Sequence, residues 1–344
     1  MKQVTKKFLS SYIFSSKNEK LHLDNYSLSE LFIDLKSLRL LGLFKHQFFS
    51  QNNSKRISQN PQLNKELLIE DIRYLNQINV IKKLTEKGLE RKLNFVFLKG
   101  IALKIFYKNN FLRYSRDIDI LVHQTDIKLA YSVAKEIGFH YYDRLVSDSS
   151  EGSKSFARHL PKMINEDGVI LEIHHRVTEM SYSKNCSISN EILKKPRSVV
   201  IDDCKVQVPN DEAMIAHLIY HAFSQKNIDI GPIVFIDLYQ IYKGNSFFKK
   251  INSLAIDLPY SYEYLRVIKK FKKILGGDLS DKNFETKSSN LYSKNILKKS
   301  LNRLKNIFEE VSYYRQIPKN SFRMFLEVPK YIFKLTKRFI LNKF

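Results

Sequence analysis

Two aspartates and a glutamate are the residues of this sequence whose types and spacing best suit chemistry. Asp117 and Asp119 lie in the alternating segment Asp-Ile-Asp-Ile-Leu-Val, and Glu172 lies in Val-Ile-Leu-Glu-Ile-His-His. Alternate side chains of a strand share a face, so the two aspartates project together. Carboxylates held side by side repel each other unless a cation lies between them, and Mg2+ prefers such oxygen ligands. If the two strands are neighbours, we expect Asp117, Asp119 and Glu172 to converge on a metal site.

Basic residues lie close to these carboxylates in the sequence. A short apolar run ends at Lys99-Gly100 and leads into a helical stretch, an arrangement that brings free backbone N–H groups to a phosphate. Arg113 and Arg116 precede the aspartates, where guanidinium groups are placed to hold a triphosphate or to neutralise a departing pyrophosphate. The sequence therefore predicts nucleotide binding by Lys99, Gly100, Arg113 and Arg116.

Several histidines lie in or near the same elements. His174 shares the strand face of Glu172, so we expect it to bind the acceptor or to support the metal ligands, with a structural histidine as the alternative. His159 begins a candidate strand and is a second candidate for the same role. His217 and His221 are four residues apart on a predicted helix, which favours a packed pair on one helix face.

The elements that must position these residues form an α/β pattern in the middle of the chain. Periodicity and turn residues predict five strands and two helices there. The strands are Asn94–Leu98, Asp117–Val122, Phe139–Arg144, Ala157–Ile164 and Val169–Val177, and the helices are Ile101–Tyr107 and Asp126–Ile137. We therefore expect an α+β fold in which a small mixed β-sheet core is flanked by N- and C-terminal helical segments.

Apolar residues at three-and-four spacing predict helices on both sides of this core. The predicted units are an N-terminal helical segment at residues 1–87, the core at 88–208, and a C-terminal helical domain with a basic tail at 209–344. The predicted flanking helices are Leu28–Leu43, Gln62–Glu86, Asp211–Ser224, Ile233–Lys243, Ser261–Leu275 and Asn290–Tyr314.

Composition narrows the class of protein. A chain of 344 residues with 43% hydrophobic side chains can bury a substantial core, which predicts a folded globular protein. No apolar run approaches the roughly 18 residues of a spanning helix, and the basic N-terminus leads only into a broken apolar stretch, which argues against a signal sequence. Two cysteines cannot form a disulfide framework. We expect a cytoplasmic protein.

The charge of the chain is strongly positive. The formal net charge of +23 favours polyanionic partners such as nucleic acid, anionic lipid or nucleotide phosphates. The region from Asp281 to Phe344 carries 15 basic and 5 acidic residues. Within it, Met324–Phe344 mixes apolar and basic residues, as helices on anionic membrane surfaces do. We expect weak contact of this tail with an anionic membrane or nucleic acid, hence a peripheral position at the inner membrane face, with packing on the helical domain as the alternative.

These motifs together resemble a known enzyme family. The segments Leu98-Lys-Gly, Asp117-Ile-Asp-Ile-Leu-Val and Leu171-Glu-Ile-His, with Arg116, resemble the nucleotidyltransferase superfamily of polymerase-β-type fold. More narrowly, they resemble a branch of bacterial nucleotidyltransferases often encoded among surface-polysaccharide or peptide-modification genes. The resemblance covers roughly residues 94–176 and, more loosely, 209–242.

The resemblance implies a reaction and a role for each residue. An acceptor group attacks the α-phosphate of a nucleoside triphosphate (NTP), and pyrophosphate is released. Asp117 and Asp119 would bind Mg2+, with Mn2+ as the alternative, while Glu172 completes a metal site and helps to deprotonate the acceptor. Lys99 and the Gly100 amide would contact the phosphates. The acceptor is implied to be a small or carrier-linked molecule of surface-polysaccharide or natural-product biosynthesis.

One departure from the family pattern keeps other interpretations open. The superfamily usually has Gly-Ser at the start of the first helix, whereas this chain has Lys99-Gly100-Ile101, and isoleucine supplies no hydroxyl. The missing serine motivates the hypothesis of a non-catalytic nucleotide-binding module. The net charge motivates a third hypothesis, nucleotide addition to RNA, which needs a continuous basic groove beside the carboxylates.

Overall fold

The fold is seen in a computed structural model that describes residues 28–38, 40–49, 61–142, 159–178, 188–222 and 233–241. All of these residues belong to one compact unit. The predicted helices at 261–275 and 290–314, the basic tail and most of the predicted C-terminal domain lie outside the described residues. The predicted domain boundaries stay a prediction.

A mixed β-sheet forms the centre of the described structure. Its strands are β1 (Val96–Leu98), β2 (Asp117–Leu121), β3 (His140–Tyr141), β4 (Met163–Ile164), β5 (Ile170–His174), β6 (Arg197–Ile201) and β7 (Cys204–Val208). They lie in the order β3-β4-β5-β2-β1-β7-β6. β2 pairs with β5 in parallel and with β1 in antiparallel orientation, and β7 pairs with β1 in parallel. The predicted α+β class with a mixed sheet is confirmed.

Helices precede, interrupt and follow the sheet. They are α1 (Leu28–Ser37), α2 (Leu41–Phe49), α3 (Pro61–Glu90), α4 (Lys99–Leu103), α5 (Ile127–Glu136), α6 (Ile188–Lys194), α7 (Asp211–Tyr220) and α8 (Ile233–Ile241). α3 and α5 contact each other; α3 also packs against β7, and α5 packs against β5. α7 contacts both α6 and α8. None of the helices in the described ranges combines the length and the apolar character needed to cross a bilayer.

The structure corrects the prediction for the first helix. A single helix over Leu28–Leu43 was predicted, but the chain breaks after Ser37 and starts again at Leu41. The Ser37 hydroxyl donates to the Asp34 carbonyl and competes with the backbone pattern there. The second helix packs so closely on Leu112 that only glycine fits at position 42, because a Cβ there would lie 2.5 Å from the Leu112 carbonyl oxygen.

Strand lengths and one hairpin also differ from expectation. The segments Phe139–Arg144, Ala157–Ile164 and Val169–Val177 contain the shorter strands β3, β4 and β5. The β6–β7 hairpin was not predicted. Its two turn residues, Asp202 and Asp203, have φ of 44° and 65°, as a type I′ turn requires.

Side-chain hydrogen bonds hold the segment that leads into β2 at three successive backbone carbonyls. The Lys104 ammonium donates to the Arg113 carbonyl at 2.8 Å, and Arg113 Nη1 donates to the Tyr114 carbonyl at 2.6 Å. Gln77 Nε2, from α3, donates to the Ser115 carbonyl at 3.0 Å. All three donor side chains are buried. Buried hydrogen bonds of this kind fix the backbone that leads directly into the aspartates.

A buried ion pair ties the same segment to α8. Arg113 Nε lies 2.7 Å from Asp237 Oδ1, and Arg113 Nη2 lies 2.9 Å from Asp237 Oδ2, in a bidentate arrangement. The Tyr107 hydroxyl also donates to Asp237 Oδ1, at 2.6 Å. Asp237 is 1% exposed, so nearly all the solvation of its charge comes from these two partners.

Asp237→Asn is expected to destabilise the fold strongly. The variant leaves the Arg113 charge buried without a counter-ion, which costs about 3–5 kcal/mol in unfolding free energy. The control is Glu136→Gln, whose partner Arg91 is half exposed, and the expected loss there is below about 1 kcal/mol. Urea denaturation measures both, and losses of equal size in the two variants would contradict the assignment.

Candidate functional site

Two acidic side chains face each other on neighbouring strands. In the β2–β5 pairing, Asp119 is directly opposite Glu172. The neighbouring residues in each strand point to the other face of the sheet, and two of them, Ile118 and Leu171, are fully buried in the core. Asp119 is 1% exposed and Glu172 is 7% exposed. The strands are therefore neighbours as expected, and their parallel register brings two carboxylates together in a largely water-free place.

Two lysines and a histidine contact this pair. Lys99 Nζ lies 2.5 Å from Asp119 Oδ1 and 4.0 Å from Glu172 Oε2. His174 Nε2 lies 2.9 Å from Asp119 Oδ1 and 3.4 Å from Glu172 Oε2. Lys162 Nζ lies 2.6 Å from Glu172 Oε1. The Lys99 ammonium therefore stands close to both carboxylates, in the position that a bound cation would take.

These contacts set the ionisation of the two carboxylates. Burial alone would raise the pKa of Asp119, but Lys99 and His174 outweigh burial and hold this pKa well below its usual range. Burial would likewise raise the pKa of Glu172, yet hydrogen bonds from His174 and Lys162 and the charge of Lys99 lower it to about 2. Both groups are therefore ionised at neutral pH, as metal ligands must be.

Asp117 occupies a different environment on the same strand face. It is paired with Ile170 rather than with Glu172. Burial raises the pKa of Asp117, and the nearby negative charge of Asp119 raises it further. The three groups whose ligand atoms lie within 4.8 Å of one another are Asp119, Glu172 and His174. Asp117 thus stands beside this cluster, half-buried, at the N-terminal end of β2.

The start of α4 carries two backbone features that place Lys99. Lys99 has φ of 47°, a left-handed conformation that favours glycine and costs roughly 1–2 kcal/mol in other residues. At Gly100 a Cβ would lie 2.3 Å from the Ser115 hydroxyl oxygen, so only glycine allows this approach. The Ser115 hydroxyl donates to the Asp117 carbonyl at 2.7 Å. The lysine, the glycine and the entry to β2 are therefore packed as one unit.

The two predicted nucleotide-binding arginines differ in their surroundings. Arg113 is buried and its guanidinium is engaged by Asp237, as described above, so in this structure it does not face the carboxylates as a free group. Arg116 is exposed immediately before Asp117. Nucleotide binding by either arginine stays a prediction, and the geometry favours Arg116.

A family profile identifies the chain at this point. The profile of the family described as "Uncharacterised nucleotidyltransferase" matches residues 30–261. The chain belongs to this family. The match spans the carboxylate strands, α8 and the segment that leads into β2, and membership supports transfer of a nucleotidyl group. No curated protein matches the chain.

Three solved structures show a weak likeness to the chain. One is a crystal structure of ANT(2'')-Ia in complex with adenylyl-2''-tobramycin, with 15% identity and a TM-score of 0.37, covering 52% of this chain and 94% of that one. Another is an antigenic nucleotidyltransferase-like protein from Paracoccidioides brasiliensis, with 10% identity and a TM-score of 0.36, covering 58% and 91%. A solution structure of ANT(2'')-Ia has 13% identity and a TM-score of 0.34, covering 67% and 98%.

Three histidines of this nucleotidyltransferase, His159, His174 and His217, lie near the carboxylates. His159 forms an antiparallel bridge with His174, and their ring centroids are 5.0 Å apart. His217 and His221 are in edge-to-face contact at 6.2 Å, as the predicted pair. Burial lowers the pKa of His217 well below its usual value, and the charge of Lys99 adds to this effect. α7 therefore presents an uncharged imidazole in the electrostatic range of the site.

Lys162 is the site residue that sequence reasoning missed. It lies just before β4, and its side chain is 48% exposed although its ammonium contacts Glu172. No motif marks it. The available signal was the position of the predicted strand Ala157–Ile164 beside Val169–Val177, because antiparallel neighbours joined by a short turn bring such residues together.

The donor set fits a divalent metal ion. Asp119 Oδ2 is buried and has no hydrogen-bond partner among the described residues, which leaves one lone-pair site unused in a water-free position. Two ionised carboxylates supply the hard oxygen ligands that such ions prefer. Fit to a metal is thus supported by an orphaned buried atom as well as by residue types.

Asp117→Asn is expected to stabilise the metal-free protein at pH 7 by about 1 kcal/mol. Its pKa is raised above 3.8, so the folded state binds this proton more tightly than the unfolded chain and the ionised group opposes folding above the raised pKa. The gain should therefore shrink as the pH falls toward 4. Thermal unfolding in EDTA across this pH range measures it.

Asp119→Asn is the matched comparison, with the opposite expected sign. The lowered pKa of Asp119 means that its charge favours folding at pH 7 and that this contribution is lost on acidification. Stabilisation by both substitutions, or by neither, would contradict the electrostatic description of the site.

Proposed function

We propose that the protein is a metal-dependent nucleotidyltransferase that moves a nucleoside monophosphate from an NTP to a small-molecule or carrier-linked acceptor. The observation that carries the proposal is the register that sets Asp119 opposite Glu172, with Asp117 on the same strand face, in a chain of the nucleotidyltransferase family. Such an arrangement of carboxylates serves no core-packing purpose, since their mutual repulsion opposes folding unless cations compensate it.

The reaction transfers the nucleotidyl group, at its α-phosphorus, from the pyrophosphate oxygen to an oxygen or nitrogen of the acceptor. A hydroxyl or amine of the acceptor attacks the α-phosphorus, the bond from that phosphorus to the β-phosphate bridging oxygen breaks, and pyrophosphate leaves. A divalent ion, Mg2+ or Mn2+, held by Asp117, Asp119 and Glu172 would neutralise the carboxylates and polarise the α-phosphate. Positioning and charge compensation are the main contributions of a protein to such a step.

Three basic residues are suited to hold the triphosphate. Lys99 stands over Asp119, Arg116 is exposed beside Asp117, and Lys162 is half exposed beside Glu172. Lys99 and Lys162 now bind carboxylates, and we propose that both exchange these contacts for phosphate oxygens when the metal–nucleotide complex enters. The Gly100 amide is proposed as a further phosphate contact.

Glu172 is the proposed acceptor of the proton that leaves the attacking group. Its low pKa makes it a weak base in the metal-free protein, partly because Lys162 donates to it at 2.6 Å. Transfer of Lys162 to a phosphate would free Glu172 Oε1 to accept this proton, while Oε2 faces Lys99 and His174.

Further parts of the proposal rest on the sequence. They are a cytoplasmic location with a basic tail that contacts an anionic membrane or nucleic acid, a role in surface-polysaccharide or natural-product biosynthesis, and one domain each for residues 1–87, 88–208 and 209–344.

Thermal unfolding with each of the four NTPs, with and without Mg2+ or Mn2+, tests the metal–nucleotide site without knowledge of the acceptor. A ligand at a hundred times its dissociation constant stabilises the native state by about 2.7 kcal/mol, which raises the midpoint by a few degrees. We expect one NTP to do so only with metal. Asp117→Asn should abolish the shift although it stabilises the metal-free protein, which separates binding from folding.

Glu166→Gln is the control, because this glutamate is exposed in the turn before β5 and should leave the shift unchanged. A shift that survives in Asp117→Asn and Asp119→Asn, or no shift with any NTP in the wild type, would overturn the proposed function and favour a non-catalytic module.

A further inference from the structure

The three potential metal ligands that lie closest to one another in this site are two carboxylates and a histidine, His174, where the sequence predicts a third carboxylate, Asp117. His174 follows Glu172 on the same face of β5, and its Cα is paired with that of Leu121 on β2. The ligand atoms of Asp119, Glu172 and His174 all lie within 4.8 Å of one another. At 4% exposure His174 is as buried as the two acidic groups. Asp117 does not belong to this group of three.

Two buried atoms in the cluster lack hydrogen bonds within the described part of the chain. They are Asp119 Oδ2 and His174 Nδ1. Leaving such groups unpaired normally costs about 1–3 kcal/mol each. An ion that Asp119 binds with both carboxylate oxygens would use Oδ2 as well as Oδ1. It would also release His174 from its present hydrogen bond to Asp119.

The Lys99 ammonium already marks the place of a cation. It lies 2.5 Å from Asp119 Oδ1 and 4.0 Å from Glu172 Oε2, and His174 Nε2 approaches the same two oxygens at 2.9 and 3.4 Å. Three different side chains thus point one donor atom each at a small volume that is occupied by a positive group. An ion in that volume would be within reach of two oxygens and one imidazole nitrogen.

We propose that His174 binds the metal ion directly through Nε2, together with Asp119 and Glu172, and that the ion is of the Mn2+ type rather than Mg2+. The inference rests on the proposed function, whose metal site it refines. Mg2+ prefers oxygen ligands, whereas imidazole suits transition-metal dications, so a site with one nitrogen among its protein ligands discriminates between them. Asp117 then faces the nucleotide and is not a direct ligand of this ion.

Charge balance supports this assignment. Two ionised carboxylates, a neutral imidazole and a dication sum to zero, which suits a site as buried as this one. In the metal-free state Nε2 carries a proton and donates to Asp119, because an ionised carboxylate only accepts. Binding at Nε2 displaces this proton, and the Lys99 ammonium, whose side chain is 18% exposed, turns out of the cluster toward solvent even before a nucleotide enters.

Electron paramagnetic resonance of Mn2+ added to the full chain without nucleotide tests the assignment. Spin-echo modulation detects nitrogen bound to Mn2+, and protein labelled with 15N-histidine should change the modulation, which identifies the nitrogen as histidine. His174→Gln should remove the modulation and weaken Mn2+ binding at least about tenfold, while weakening Mg2+ binding less. His175→Gln is the matched control, because it replaces the adjacent histidine, which is equally buried.

Each result separates this inference from the proposed function. Mn2+ that binds without histidine modulation, or modulation that persists in His174→Gln, would overturn direct ligation and leave a carboxylate-only site intact. No Mn2+ binding by the wild type would also overturn it, and the NTP-dependent thermal shift then decides the proposed function separately. If His174→Gln does not fold, His174→Asn takes its place, and the labelled wild-type protein still distinguishes a histidine ligand from a carboxylate-only site.

Discussion

The constraint on which the rest of the structure depends is the opposition of two ionised carboxylates inside the sheet. Asp119 and Glu172 are brought together by a backbone register, not by a flexible loop, so the chain cannot relieve their repulsion by moving them apart. The only solution is compensation, and Lys99, His174 and Lys162 supply it at 2.5 to 3.4 Å. Compensation by side chains that a ligand can displace leaves the site stable without metal and able to accept one.

The same constraint explains why the approach to β2 is so firmly held. Placing a carboxylate within about 0.5 Å requires that its strand not slide, because a slip of one residue would turn both aspartates to the other face of the sheet. Side chains of Lys104, Arg113 and Gln77 therefore hold three successive carbonyls ahead of Asp117. Because Arg113 is anchored by Asp237, the helix α8 contributes to the site without touching it. A helix that lies 124 residues away in sequence thus belongs to the machinery that positions the aspartates.

Sequence alone was sufficient where a local pattern carries the information. The alternation around Asp117 and Asp119 and around Glu172 predicted two strands with acidic faces, and the sheet is mixed as expected. The sequence did not indicate contacts between residues far apart in the chain, or turns that lack the usual residue types. Nothing local marks Arg113 as the partner of Asp237, because the two residues are 124 positions apart and no short motif links them. The β6–β7 hairpin turns on two aspartates with positive φ instead of glycine, and the usual turn signal is absent.

Several local rules are broken at one place, and this bears on whether the site is functional. Lys99 adopts a conformation that favours glycine, Asp119 has a buried oxygen without a hydrogen-bond partner in the described ranges, and Asp117 is held where burial raises its pKa. A purely structural ion pair between Lys99 and Asp119 would need none of the other features. Glu172 and Asp117 would only add repulsion to it. Sequences tend to break such rules together where function requires it, because selection retains costs that a ligand offsets. A cation bridging the carboxylates would offset the unpaired oxygen and the repulsion at the same time, which a fold without a ligand cannot do.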